Sequence, residues 1–426
     1  MRKIHKKAAA CVLGCLMIVS VIPVQAAQVQ NGTTYEVTTN LLPEWPQAPE
    51  IASETAILMD GDTGAILYNK GMDEIRYPAS ITKIMTCLLA LEKAGLEEQV
   101  TFTQTVLSDP NSGGTNIGMQ EGEILTMRQC LDVLMVQSAN DVATQIAEYV
   151  GQGSVQNFVD MMNQKAQELG CQNTHFTNAS GMPDENHYTT AHDMALIFRE
   201  AIKNEVFREI IKQQNVVVEP TNKNGETRIY SCHHALVAQS APEYYEGCFG
   251  GKTGVTEVAK NTLVSGVTRD GMTLIAVTLR AEVEQIYQDQ IRLFNYGFEN
   301  FQKVEVPGGS VTIPKDKSVE NLTIQEIPEE AGTRQEYFYN GDYYLGRGIK
   351  EEVQEEVVLQ PEEPVVTPEP EEKQPEKKQE DSSEKQKTLY KNIICILMGV
   401  IGVSVVIAII SGMKKRKRRN GKSKKH

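Results

Sequence analysis

Three short polar segments restrict the fold of this 426-residue chain more than anything else in it: Ser80-Ile81-Thr82-Lys83, Ser138-Ala139-Asn140 and Lys252-Thr253-Gly254. Taken singly, each has an ordinary explanation: a serine opening a helix beside a surface lysine, a loop between two helices, a Gly-rich turn. Their contexts say more. Ser80 follows Pro78-Ala79, which delivers the chain into a helical pattern of Ile84, Met85, Leu88, Leu89 and Leu91. Ser80 and Lys83 then share one helical face. Ser138 and Asn140 interrupt an apolar helical pattern over 125–150, and such polar interruptions favour local backbone bonding and a turn. Lys252 follows Gly250-Gly251 and opens a β-rich run, as an edge strand beside a cleft would. If the three segments act together, stretches far apart in sequence must converge.

The hydrophobic pattern shows how they could. Short apolar runs at 56–59 and 65–68 flank Asp60-Gly61-Asp62-Thr63-Gly64, and runs at 261–267 and 272–279 flank Arg269-Asp270-Gly271. Both read as hairpins. Between them lie helical patterns ending at Gly95, over 125–150 with a break at Ser138, over 155–169 and over 191–203, with a short strand at 216–218. A closing helix is expected over 288–301. Strands, then helices, then strands, then a helix predict a mixed α/β fold. The early and late strands share one antiparallel sheet with helices on both faces, and an all-helical lobe stands beside it.

The ends of the chain read differently. Arg2, Lys3, Lys6 and Lys7 precede an apolar run from Ala8 to Val24, and Val24-Gln25-Ala26 suits cleavage, so 1–26 reads as a signal peptide. Residues 27–51 read as a polar, extended lead-in and 52–301 as the catalytic domain. From 302 to 350 apolar runs alternate with Gly and Pro, predicting a short β-rich appendage. Residues 351–389 are rich in Glu and Pro and read as a disordered spacer. Residues 390–413 are about the length that crosses ~30 Å of hydrocarbon and read as a transmembrane helix. The basic tail at 414–426 then belongs in the cytoplasm. The expected location is the bacterial cell membrane, with the catalytic domain on the extracytoplasmic side. The net charge of -14 hides this polarity. Five cysteines, Cys87, Cys130, Cys171, Cys232 and Cys248, fall in the outer part without a disulfide-like spacing.

The chemistry follows from residue types. A serine hydroxyl is a poor nucleophile without a base. Lys83 can be that base only if burial or neighbouring cations lower its pKa. Ser138 is placed to relay a proton and Asn140 to hydrogen-bond a substrate amide. Lys252 and Thr253 suit a terminal carboxylate, and Gly254 allows close backbone approach. The backbone N–H groups of Ser80 and Val255 would form an oxyanion hole, worth roughly 2.7–4 kcal/mol per donor. The set points to acyl transfer through a serine ester.

This combination resembles the D-alanyl-D-alanine carboxypeptidases, low-molecular-mass penicillin-binding proteins of the serine DD-peptidase class, which share a fold with class A β-lactamases. The resemblance extends through Tyr77 to Thr86, Met162 to Ala166, Leu169-Gly170, Thr174 to Phe176, Asn178-Ala179-Ser180-Gly181 and Tyr188 to Ala195. It implies that Ser80 is acylated, Lys83 is its base, Ser138 shuttles protons, Asn140 contacts substrate, and Lys252 and Thr253 grip the terminal carboxylate. The implied reaction removes the last D-alanine from peptidoglycan pentapeptides. β-Lactam antibiotics would act as covalent inhibitors. The chain departs from the family in its short appendage, in an anchor that reads as a true crossing, and in the Cys248-Phe249 approach to Lys252.

Rival readings are weaker. A class A-like β-lactamase would need a deacylating glutamate after Ser138, and no E-x-x-L-N-like element is present. A non-catalytic membrane penicillin sensor would need more cytoplasmic chain than the short tail offers. His175, His187, His192, His233 and His234 form no strong metal-ligand spacing, so no metal or other cofactor is expected. Nothing suggests a nucleic-acid partner.

Overall fold

The structure, a computed structural model, describes residues 29, 31–329 and 332–350. The expected signal peptide, spacer, membrane crossing and basic tail lie outside the described residues. Among the described residues no helix is long and apolar enough to cross a membrane.

The first hairpin joins β1 (Thr55–Asp60) to β2 (Ile66–Lys70). Its turn is set by Asp60, whose Oδ1 accepts from the N–H groups of Asp62 and Thr63, both at 2.8 Å, as turn-forming aspartates do. A 3-10 turn at Ala79–Thr82 then leads into α1 (Lys83–Lys93). The helical lobe follows: β3 (Gln99–Thr101), α2 (Gln104–Leu107), β4 (Ile124–Thr126), α3 (Met127–Val136), α4 (Asn140–Val150), α5 (Val155–Glu168), α6 (Ala191–Ala201) and α7 (Glu205–Lys212). A ribbon of β5 (Asn215–Val218) and β6 (Arg228–Ser231) precedes β7 (Cys248–Thr256), β8 (Lys260–Arg269), β9 (Met272–Ala281) and α8 (Val283–Asn300).

The central sheet has the order β2-β1-β9-β8-β7 and is antiparallel throughout. Early and late strands therefore share one sheet, with β1 running against β9 from Thr55↔Leu279 to Asp60↔Leu274. Every residue of β1 is buried, because helices cover both faces. Ile57 and Met59 pack with α1 and α3 to α6, whereas Ala56 and Leu58 pack with Leu293 and Phe294 of α8. That alternation is the two-residue period of a strand. β7 lies at the sheet edge, and its outer side faces the cleft.

Several elements differ from expectation. α8 begins at Val283, ahead of the expected start at 288. α7, the β3–β4 pair and β6 were not anticipated, whereas β5 meets the short strand expected at 216–218. α7 carries a signal in its cap, since Asn204 Oδ1 accepts from the N–H groups of Val206 and Phe207. The three-residue strands β3 and β4 have no comparable signal. The lead-in is not simply extended. It forms a 3-10 turn at Thr38–Leu41 and drives Trp45, 3% exposed, against Phe301, Tyr339 and Tyr343 at ring distances of 5.1, 5.2 and 5.2 Å. Burial of a tryptophan outweighs the polar composition around it.

The β-rich appendage is a five-stranded antiparallel sheet of β10 (Phe301–Val306), β11 (Gly309–Pro314), β12 (Thr323–Glu329), β13 (Gly332–Tyr339) and β14 (Tyr343–Lys350), in the order β10-β11-β14-β13-β12. It is fastened to the first hairpin by Thr312 Oγ1, which donates to Asp60 Oδ2 at 2.9 Å, and by Tyr343, whose hydroxyl donates to the Ile66 carbonyl at 2.8 Å. Cys87, Cys130, Cys171, Cys232 and Cys248 are all free thiols.

Candidate active site

The fold brings the three motifs to one cleft. Ser80 sits in the 3-10 turn ahead of α1, after Ala79 in the left-handed region at φ 53°. A non-glycine residue there is strained and persists only where its surroundings hold it. Two glycines do the holding. A side chain at Gly181 would collide with the Ala79 carbonyl, and one at Gly254 would come within 2.8 Å of the Ser80 nitrogen. Close approach of two backbones to the serine turn is what requires glycine. Thr262 Oγ1 completes the clamp by donating to the Pro78 carbonyl at 2.8 Å.

Lys83 is the first residue of α1 and fully buried. Its Nζ lies 3.0 Å from Ser80 Oγ, 2.6 Å from Asn140 Oδ1 and 2.6 Å from the Ser180 carbonyl. Burial pushes this amine well below the usual lysine range, the nearby Lys252 charge lowers it further, and Asp141 opposes the shift. A neutral amine has two N–H bonds and one lone pair. The two short contacts, to Asn140 and Ser180, take both hydrogens, which leaves the lone pair for the Ser80 hydroxyl.

Ser138 separates α3 from α4 with φ 66° and lines the same cleft as Ser80, Thr253, Gly254 and Val255. Asn140 opens α4. Besides the substrate contact expected of it, each end of its amide has a partner within the protein. Oδ1 accepts from Lys83, and Nδ2 donates to the Gly113 carbonyl at 2.6 Å. The reason is local: the Asn140 backbone also binds Thr115 at 2.7 Å, so the N-terminus of α4 and the loop over the cleft are tied together. Lys252 on β7 is 2% exposed, and its Nζ donates to its neighbour's carbonyl, Thr253 O, at 2.9 Å. Burial lowers its amine to about 8, against an opposing contribution from Cys232.

Some functional groups had no signal at the level of motifs. The Ser180 carbonyl belongs to a loop pinned by Asn178, whose Oδ1 accepts from the N–H groups of Ser180, Gly181 and Met182 at 3.2, 2.7 and 3.1 Å. A backbone carbonyl has no sequence signature, although Asn178-Ala179-Ser180-Gly181 marks a turn. The histidines have separate occupations: His175 Nδ1 meets the Asn186 carbonyl, His192 pairs with Asp73, and His187 and His234 are buried. Among the described residues no three His, Cys, Asp or Glu side chains gather as metal ligands would.

The chain is similar to known proteins. The family model for D-alanyl-D-alanine carboxypeptidases matches residues 43–283. The D-alanyl-D-alanine carboxypeptidase DacF of Bacillus subtilis is 32% identical over 276 residues, 63% of this chain and 68% of that protein. DacB2 of Mycobacterium tuberculosis, which bears the same enzyme name, is 33% identical over 256 residues, 59% of this chain and 84% of its own. The crystal structure of a Streptomyces DD-transpeptidase is similar with a TM-score of 0.55 at 30% identity, covering 59% of this chain and 99% of that one. With the family model spanning more than half of its length and a DD-peptidase-like fold around the Ser80–Lys83 pair, this chain belongs to the D-alanyl-D-alanine carboxypeptidase family.

Proposed function

We propose that this serine D-Ala-D-Ala carboxypeptidase works through Ser80 as its acylated nucleophile. The carrying observation is the contact set of Lys83, whose Nζ lies 3.0 Å from Ser80 Oγ while Asn140 Oδ1 and the Ser180 carbonyl are placed to take both hydrogens of a neutral amine. Lys83 takes the hydroxyl proton as Ser80 attacks the carbonyl of the penultimate D-alanine. The N–H groups of Ser80 and Val255 receive the developing oxyanion. Lys252 and Thr253 hold the terminal carboxylate, and Gly254 lets the edge strand approach. Ser138 passes that proton from Lys83 to the departing D-alanine amine, which frees Lys83 as a base. Water then cleaves the ester, with Lys83 again the base. Asn140 orients Lys83 as well as contacting the substrate. A β-lactam enters by the same attack and leaves an ester on Ser80.

The test is peptide mapping by mass spectrometry after penicillin, alongside release of D-alanine from a pentapeptide. The penicilloyl group is expected on Ser80, and Ser80→Ala is expected to lose both labelling and release. A label on another serine would overturn the assignment.

The ends of the chain complete the proposal. Residues 1–26 direct export, 52–301 form the catalytic domain, 302–350 an appendage, and 351–389 a spacer. Residues 390–413 cross the membrane once, with 414–426 in the cytoplasm. Support comes from hydropathy and from the cluster Lys414-Lys415-Arg416-Lys417-Arg418-Arg419. Removing 390–426 is expected to move activity from the membrane fraction to the soluble fraction. Activity that stays with the membrane would rule the anchor out.

A further inference from the structure

His187 lies 1% exposed behind the nucleophile turn, among residues that the mechanism above does not use. Its Nδ1 accepts from the Thr177 backbone N–H at 3.0 Å. A neutral imidazole has one donor and one acceptor, so with Nδ1 accepting, the proton sits on Nε2. Nε2 is 2.8 Å from Thr82 Oγ1, and Thr82 is fully buried. The ring therefore donates to the hydroxyl of the residue next to Lys83. It is held edge-on against Phe176 at 5.7 Å. Burial lowers its pKa to about 3, with His175 and Lys83 adding to the effect, so the neutral tautomer is kept.

The bridge joins two pieces of chain that both touch the reacting groups. One is the turn Ala79–Thr82 with Lys83. The other is the loop that supplies the Ser180 carbonyl to Lys83 and the Ala179 carbonyl to Thr86 Oγ1 at 2.7 Å. Gly181 of that loop presses on the Ala79 carbonyl. Each of these contacts requires the loop and the turn to keep one spacing. Among the described residues, His187 spans them with a side chain whose two polar atoms are rigidly related.

We propose that His187 is a positioning residue for acylation: its Thr177–His187–Thr82 bridge sets the spacing between the Ser180 carbonyl and the Ser80–Lys83 pair. This rests on Ser80 and Lys83 acting as proposed above. The role differs from general stabilisation in one respect. Loss of the bridge misplaces the proton acceptor and slows the acylation step, while the cleft that binds the antibiotic or peptide is untouched.

The experiment uses the full chain and a fluorescent penicillin, with the acylation rate constant and the prior binding constant separated by rapid mixing. His187→Ala is expected to lower the acylation rate constant about 10- to 100-fold, the cost of displacing reacting groups by up to ~1 Å. Binding should change little. His187→Gln, whose amide can accept from Thr177 and donate to Thr82, should recover to within about threefold of the parent. Acylation by folded His187→Ala at the parental rate overturns the inference. So does a His187→Gln variant as slow as His187→Ala, because the bridge would then not be what matters. If His187→Ala does not fold, Thr82→Val decides: a slowed acylation step supports the bridge, and the parental rate overturns it. Mapping of the label in the parent separates the two levels, since a label away from Ser80 defeats the proposed mechanism, whereas a label on Ser80 with unaffected variants defeats only the role of His187.

Discussion

Two buried lysines lie beside this cleft, and their surroundings suit them to the opposite tasks proposed for them. Lys83 opens a helix, where the backbone dipole disfavours a cation, and it is ringed by Ser80, Asn140 and Ser180. Lys252 sits on an edge strand, and its amine reaches one carbonyl, that of Thr253. Burial lowers both. The acceptors make the difference. Lys83 faces two short acceptors that would take both hydrogens of a neutral amine and leave its lone pair for Ser80. Lys252, held at about 8, is mostly protonated at neutral pH and keeps hydrogens for an anion. Burial tunes a lysine, and the count and placement of acceptors choose between base and clamp.

The sharpest way to break this comparison is Lys83→Ala. The acylation rate constant is expected to fall about 10²- to 10⁴-fold, the range for a lost general base, with antibiotic binding nearly unchanged. Rapid mixing with fluorescent penicillin measures it, and an unchanged rate would remove Lys83 from the chemistry. The clamp is tested by pH. Lys252 is charged below about 8 and loses its charge as pH rises through that value. KM for a D-Ala-D-Ala peptide should therefore climb above pH 8, and a Lys252→Ala variant should start about 10- to 100-fold lower in kcat/KM, as loss of a charge-assisted hydrogen bond implies. A flat KM across that range would contradict the assignment.

The buried histidines offer a smaller effect of the same origin. His187 and His234 are lowered from 6.5 to about 3 and about 4, so between those values and 6.5 the unfolded chain binds more protons than the folded one. Stability should fall as pH drops through that window. Thermal unfolding against pH reads it, and His187→Gln should show the shallower decline. Smallest is Thr312→Val at the appendage. It leaves the buried Asp60 Oδ2 without the hydroxyl donated at 2.9 Å and should cost about 1–3 kcal/mol. D-alanine release should not change, since Thr312 does not line the cleft that holds Ser80. A loss of activity at unchanged stability would mean that the appendage communicates with the cleft.

Much of this was legible before any coordinates. The two hairpins, the break at Ser138 and the edge position of Lys252-Thr253-Gly254 all follow from period, turn residues and glycines that survive in the fold. The missing pieces share a physical cause. β3 and β4 exist because they pair with each other, and no three-residue run announces that. The lead-in reads as polar, yet Val37 and Trp45 are buried. The Ser180 carbonyl is backbone, identical in every residue type. Asn140 was read as a substrate contact, and only the position of Lys83 adds that its Oδ1 also meets the buried amine.

By itself the sequence determined which chemistry this protein can perform, because a serine, an amine three residues on and a K-T-G strand are properties of residue type and local spacing. The tertiary structure alone decided how the proposed split between a base, Lys83, and a clamp, Lys252, could be realised. That choice depends on burial and on the acceptors around each amine, and those come from loops and strands distant in sequence that meet only in the folded chain.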